Sequence, residues 1–269
     1  MTPQDQSTHA SGSYKISDEG EVARREQERL DALARTLDPV STDFLSQFGV
    51  CDGWRCLEVG GGSGSLARWL AQRAAPAGVV VSTDVDLRFH QPAEGVLEVR
   101  QHDITRDPLP DAAFDLTHAR GVLQHIPARE LALARMVGAT RPGGWIVIED
   151  ADFTPFLEQD LPEPFGKVAR AMAELSTRAQ RDGRFGLRVA GLYRQHGLTD
   201  ITARGHVWTM RGGTDSAEWW VKAMEHTEAI LAAVGAATAA EVRAAVAQAR
   251  EPGFAVLSPL HLAVAGRKP

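Results

Sequence analysis

The residues able to do chemistry in this chain stand at the ends of short apolar runs. In Cys56-Leu57-Glu58-Val59-Gly60-Gly61-Gly62-Ser63-Gly64-Ser65-Leu66, an apolar run passes through an acid into a loop carrying four glycines. Asp84 ends a second run, Val79-Val80-Val81-Ser82-Thr83, and Asp103, in His102-Asp103-Ile104, follows a third. A glycine-rich turn between strand and helix lets a ligand lie directly against the backbone, with the helix amides aimed at it. A carboxylate at the end of the next strand can accept hydrogen bonds from paired ribose hydroxyls. Together these features point to an adenosine-containing ligand. His125, in Leu123-Gln124-His125-Ile126-Pro127, has the side chain suited to moving a proton near neutrality.

The elements that position these residues alternate. Strands are predicted at 55–59, 78–83, 96–101, 114–118 and 144–149, with helices at 63–74, 86–91, 121–126 and 129–139 between them. Apolar strands separated by helices make βαβ units and a parallel sheet. Arg141-Pro142-Gly143-Gly144 reads as the turn into the last of these strands. Upstream, Asp18 and Glu21 form a capping pair and Leu30, Leu33 and Leu37 mark a helix that Asp38-Pro39 should break, before a second short helix carrying Phe44, Leu45 and Phe48. Past Glu149 the alternation stops: helices are expected at 158–182 and 187–196, a strand at 199–209, an alanine-rich helical region at 214–250 and a closing strand at 260–265.

Composition narrows the class. At 269 residues, 43% hydrophobic, the chain has ample material for a core. The net charge of −6 and the lack of a long Lys/Arg cluster disfavour a nucleic-acid partner. Cys51 and Cys56 have no second cysteine pair and read as reduced thiols. The polar segment 1–13 reads as a loose tail with no apolar leader, and no run reaches membrane-spanning length, so a cytoplasmic protein is expected.

The order of Glu58, the glycine loop, Asp84, Asp103, Phe114-Asp115-Leu116 and Arg141–Gly144 resembles the class I S-adenosylmethionine-dependent methyltransferases, in particular the small-molecule branch common among actinobacterial tailoring enzymes. The resemblance covers about residues 14–150. It implies a doubly wound α/β fold with a mostly parallel seven-stranded sheet in the order 3-2-1-4-5-7-6, the last strand antiparallel. It also implies S-adenosylmethionine as cofactor. Gly60, Gly62 and Gly64 would admit its methionine part, Asp84 its ribose, Asp103 its exocyclic amine and Ile104 its purine face. Glu58 would hold the ammonium or support the loop. Carbonyls near Ala119 and Arg120 would meet the methionine end, and Tyr14 would cover the cofactor. Asp103 has an alternative reading as a turn residue before Asp107-Pro108. A nicotinamide site competes, since Gly62–Ala67 fits G-x-G-x-x-A with Asp84 about twenty residues on, but it leaves Glu58, Gly60, Gly61 and Asp103 unexplained.

On this reading residues 14–269 form one domain, with a helical cap at 14–50 and lid insertions at 150–186 and 211–252. His125 is the first candidate for general base, or else a histidine tying its loop. Glu174, His206, His226 and His261 are secondary, Asp115 and Glu149 structural, and no metal site is expected although Asp150 and Asp152 follow the fifth strand. Trp208, Trp219, Trp220 and Met224 would give the second insertion an apolar face against the substrate, or fill its own core. The expected activity is methyl transfer to a small, largely apolar acceptor of natural-product type. The rival from another class is a catalytically silent protein that binds the cofactor and acts as a partner.

Overall fold

The computed structural model describes residues 20–92 and 94–269 (for 21 and 22 the backbone only), so Tyr14, the Asp18 cap and the 1–13 tail lie outside the described residues. The apolar runs become strands β1 (Arg55–Val59), β2 (Val79–Asp84), β3 (Leu97–Gln101), β4 (Phe114–Arg120) and β5 (Thr140–Asp152), followed by β6 (Thr199–His206), β7 (Thr209–Arg211), β8 (Ala255–Leu257) and β9 (Leu260–Arg267). Seven of them form one sheet in the order β3-β2-β1-β4-β5-β9-β6, while β7 and β8 pair apart as an antiparallel ribbon. Neighbours from β3 to β5 are parallel, and β9 runs antiparallel to both β5 and β6. Counting sheet members alone, this is the 3-2-1-4-5-7-6 order.

Side chains alternate across the sheet, and both faces are covered. On one face Leu57, Val59, Ile146, Ile148 and Val264 pack with α3 (Arg129–Ala139) and α6 (Phe185–Gln195). On the other, Cys56, Val80, Leu116, Val147 and Ala263 meet α2 (Ser65–Ala74) and the end of α1 (Gly20–Leu45), where Phe44 and Leu45 are buried. Each fully buried large side chain contributes about 1.5–3 kcal/mol, so these two layers fix the height of every strand end. A third core gathers α4 (Thr154–Glu158), α5 (Phe165–Arg178), α7 (Asp215–Ala233), α8 (Ala239–Arg250) and the β7–β8 ribbon, with Phe156, Phe165, Val221 and Met224 at its centre.

Several expectations are corrected. α1 runs unbroken through Pro39. A mid-helix proline costs about 3 kcal/mol, but Leu37 on one side of it and Phe44 and Leu45 on the other are all buried, and Asp38 and Ser41 both bind Arg120, so packing holds the helix through the proline. Arg141–Gly144 bulges within β5 rather than preceding it: the register against β4 passes from Phe114–Thr140 directly to Leu116–Trp145. Residues 86–91 and 121–126 give only single turns of tight helix, Leu87–Phe89 and Leu123–His125. The 214–250 region is two helices, parted at Gly235 (φ +70°) and restarted by a capping box of Thr238 and Glu241.

Candidate active site

A cavity of about 1500 Å³ opens beyond the carboxyl ends of the central strands. One wall is the loop after β1 with the ends of β2 and β3; the facing wall comes from α1, α5 and α7. Open parallel sheets place their crevices here because the strand order reverses between β1 and β4.

The first wall is built from backbone and carboxylates. Gly60 and Gly62 line it with φ of +68° and +54°, a region that side-chain-bearing residues rarely adopt, and a methyl group on Gly60 would overlap Val122. The loop is pinned from behind: Gly60 and Gly61 donate to the Thr83 carbonyl at 2.7 and 3.0 Å. Gly61 and Gly64 leave no room for a side chain, because one at Gly61 would overlap Ser82 Oγ and one at Gly64 the His90 ring; these two groups bond each other at 2.8 Å. Gly64 therefore shapes the loop and does not line the cavity. Asp84 lines it, its carboxylate accepting the Gly62 amide at 2.9 Å and the Asp86 amide at 3.1 Å. Burial raises the Asp84 pKa, and those amides oppose the rise. With two of about four lone-pair directions used, the carboxylate can still accept two hydroxyl groups. Asp103 and Ile104 line the same wall; Asp103 Oδ1 accepts from the Thr105 amide and hydroxyl at 2.8 and 2.6 Å, so Asp103 is both a turn residue and a cavity residue.

Bare backbone, two carboxylates and an apolar side chain on one wall fit the parts of S-adenosylmethionine: charged methionine end, ribose and purine. Ala119 is buried and off the wall. Arg120 is at the cavity edge, its guanidinium bonded to Ser41 Oγ at 2.9 Å and Asp38 at 2.7 Å.

The facing wall is apolar and aromatic. Trp208, Trp219 and Trp220 line the cavity, with Trp219 and Trp220 edge to face at 5.1 Å between centroids. Met224 does not: it is fully buried in the third core, on the side of α7 turned from the cavity. His125 opens onto the cavity from the turn after β4, bonding only its neighbour Gln124, at 3.3 Å. Enclosure by protein, with Arg181 and Arg29 adding positive charge, drives its pKa down to about 3. The ring is nevertheless exposed, and among the described residues no carboxylate bonds it. His226 lines the same region and is depressed by burial. Glu174 is exposed on the outside of α5, paired with Arg178. Among the described residues no group of three or more His, Cys, Asp or Glu could hold a metal.

The largest departure from the sequence reading is a buried ionic row. Glu58 Oε2 lies 2.6 Å from His118 Nδ1, His118 Nε2 lies 3.0 Å from Glu149 Oε1, and Glu149 Oε2 meets His261 Nε2 at 2.9 Å and accepts the Ser41 hydroxyl at 2.7 Å. Glu58 points into this row and is absent from the cavity wall, whereas Glu149 and His261 reach it. Burial alone would depress His118, but the two carboxylates outweigh it and raise the ring to about 9, so it is an imidazolium at neutral pH. Burial would raise Glu149, yet hydrogen bonds from His118 and His261 hold it well below its ordinary value. The signal was present in the strand period. Glu58, His118 and Glu149 each stand two residues beyond an inward apolar side chain (Cys56, Leu116, Val147) and so occupy the same buried face.

Comparison with known proteins agrees with this geometry. Residues 57–148 match the family described as Methyltransferase domain. The chain is 30% identical over 129 residues to methyltransferase str3 of Strobilurus tenacellus (48% of this chain, 46% of that one). It is 33% identical over 111 residues to the ubiquinone/menaquinone biosynthesis C-methyltransferase UbiE of Cupriavidus taiwanensis (39% and 46%). It thus spans about half the length of the curated relatives it matches. In fold it resembles YcgJ of Bacillus subtilis (TM-score 0.53, 13% identity, 84% of this chain and 96% of that one). It also resembles phosphoethanolamine N-methyltransferase 2 of Haemonchus contortus (TM-score 0.51, 17% identity, 90% and 52%). Strand order, glycine loop and family match together identify residues 57–148 as a methyltransferase domain of the class I S-adenosylmethionine-dependent kind.

Proposed function

We propose that this protein transfers a methyl group from S-adenosylmethionine to a small, largely apolar acceptor bound between the glycine-loop wall and the aromatic wall. The observation that carries this is that Gly60, Gly62, Asp84, Asp103 and Ile104 line a single cavity together with Trp208, Trp219 and Trp220. S-adenosylmethionine brings an electrophilic methyl group, so the protein's task is to align the acceptor, exclude water and handle a proton where one must leave. Asp84 would hold the ribose hydroxyls and Asp103 the adenine amine against Ile104, while the bare backbone at Gly60 and Gly62 would take the methionine end. Glu58 would act through His118 rather than on the ligand. The insertions 150–186 and 211–252, with α1, would serve as the lid of one domain covering residues 14–269, and Trp219 and Trp220 would touch the acceptor. His125 would border the acceptor as a neutral hydrogen-bond acceptor.

The small-molecule reading draws support from the relatives' names, UbiE being a C-methyltransferase of quinone biosynthesis. A natural-product intermediate suits a cavity with so much apolar wall. Calorimetry with S-adenosylmethionine, S-adenosylhomocysteine and NAD tests the cofactor: binding of the first two without added metal is expected, and binding of NAD alone would overturn it. Release of S-adenosylhomocysteine in a screen of phenols, hydroquinones, amines and carboxylic acids then tests transfer. Cofactor binding with no turnover across the screen would favour the silent binder.

A further inference from the structure

We propose that His261 is the residue that takes the proton from the acceptor's nucleophilic atom, and that Glu149 is its positioning residue. This rests on the methyl-transfer reading above and names the base for it.

The geometry fixes which nitrogen does the work. Glu149 is ionised, so His261 Nε2, 2.9 Å from its Oε2, is the donor in that bond. In the neutral ring the remaining nitrogen, Nδ1, is then the bare one. Nδ1 has no hydrogen-bond partner among the described residues, and His261 lines the cavity beside Glu149, Asp150 and Pro259. A carboxylate that holds an imidazole by one nitrogen and leaves the other unbonded, in a side chain that lines a cavity, is the arrangement that orients a general base.

The rest of the row explains why Glu149 can serve. Its other oxygen is bonded by the His118 imidazolium, which is anchored to Glu58 in turn, and the Ser41 hydroxyl adds a second donor. Glu149 therefore stays charged although fully buried, and the charge it keeps stabilises His261 once protonated. In the transfer step the acceptor's proton passes to Nδ1 as its electron pair bonds the methyl carbon. The carbon–sulfur pair leaves with sulfur as S-adenosylhomocysteine, and the imidazolium later loses its proton to solvent.

The groups facing His261 are few. From β5 come Glu149 and Asp150, the latter fully buried with its pKa pushed well up by burial. From β6 comes His206, its cross-strand partner, depressed by burial, with Arg204 beyond. From β4 come His118 and Arg120, the latter tied to Asp38 and Ser41 of α1. Among the described residues Glu149 is the carboxylate bonded to His261, while Asp43 of α1 lies beyond His206. His125, by contrast, has no carboxylate bonded to its ring among the described residues.

The test uses the full chain with S-adenosylhomocysteine bound. Nitrogen-15 NMR of the histidines, with His261→Gln to assign the signal, should show His261 at neutral pH carrying one proton, on Nε2. A proton on Nδ1 at that pH, whether alone or with both nitrogens protonated, overturns the proposal. With the best acceptor from the screen, His261→Gln should lower kcat by about 100-fold or more, the usual span for a general base, with S-adenosylhomocysteine affinity kept within about threefold. It should also abolish the fall in rate on the acid side. Glu149→Gln should lower kcat and move that acid limb to lower pH, since the imidazolium loses its carboxylate. Parent-like turnover in His261→Gln, or an acid limb removed only by His125→Gln, overturns the proposal. Should the screen yield no acceptor, the NMR result decides alone. Failure of the parent chain to bind S-adenosylhomocysteine sinks the methyl-transfer reading itself and is seen before any variant is made.

Discussion

At the scale of single residues, His118 and Asp84 make opposite use of burial. His118 has its pKa raised from 6.5 to about 9 by the carboxylates of Glu58 and Glu149. The stability it contributes is fully present below about pH 6.5 and is lost as pH rises through about 9, because the folded state then gives up the proton it holds more tightly. Glu149, lowered from 4.5, contributes stability above that value that is lost as pH falls. The melting temperature should therefore be highest between about pH 5 and 6.5 and decline toward about pH 9, and His118→Gln should flatten the alkaline decline. A parent melting temperature that is level across the alkaline range would show that His118 is not charged in the fold. Asp84 holds two loop amides and keeps capacity for a ligand. Asp84→Ala should weaken S-adenosylhomocysteine binding by about 1.5–3 kcal/mol, measured by calorimetry. Asp84→Asn, which can still accept from the Gly62 amide, should recover the loop's stability but only part of the affinity. Unchanged affinity in Asp84→Ala would place the ribose elsewhere.

At the scale of elements, what the sequence made legible followed from periodicity. The five parallel strands, α2, α3 and α6 were visible because apolar residues recur at the right spacing and Gly or Pro marks the breaks. The glycine loop could be placed, but not the reason for each glycine. Gly60 and Gly62 face the cavity, whereas Gly61 and Gly64 are needed because Ser82 and His90 fill the space behind them. Gly64→Ala should thus strain a position at φ +76° and displace His90, lowering stability by about 1–3 kcal/mol and cofactor affinity with it. Gly64→Ala paired with His90→Ala should regain part of both; no recovery would mean the backbone angle alone carries the cost. What stayed illegible was long-range. Pro39 signals a break that Leu37, Phe44 and Arg120 override from other parts of the fold. Glu58 read as holding the ammonium or supporting the loop, because nothing local shows that His118, sixty positions later, lies beside it.

For the whole molecule, the arrangement separates the wall that would recognise S-adenosylmethionine from the wall that would choose the acceptor. The first belongs to the sheet and the second to α1, α5 and α7, of which α5 and α7 share the third core and α1 packs on α7. Two neighbours on α7 should therefore respond differently. Met224→Ala, deep in that core, should cost about 2–5 kcal/mol in a denaturant melt with little change in acceptor preference at a temperature where it stays folded. Trp219→Ala, on the cavity side, should change acceptor turnover more than stability or cofactor affinity. If both variants mainly lose stability, the tryptophan serves the lid's own core. The ionic row beneath these walls also limits how the chain can drift over time. It crosses β1, β4, β5 and β9, and removing Glu58, His118 or Glu149 leaves a buried charged partner short of its bond, a change that costs about 3–5 kcal/mol in buried pairs. A lineage would then have to cross a valley of unstable intermediates to replace Glu58, His118 or Glu149 singly, so the row should be inherited whole or exchanged whole for apolar residues.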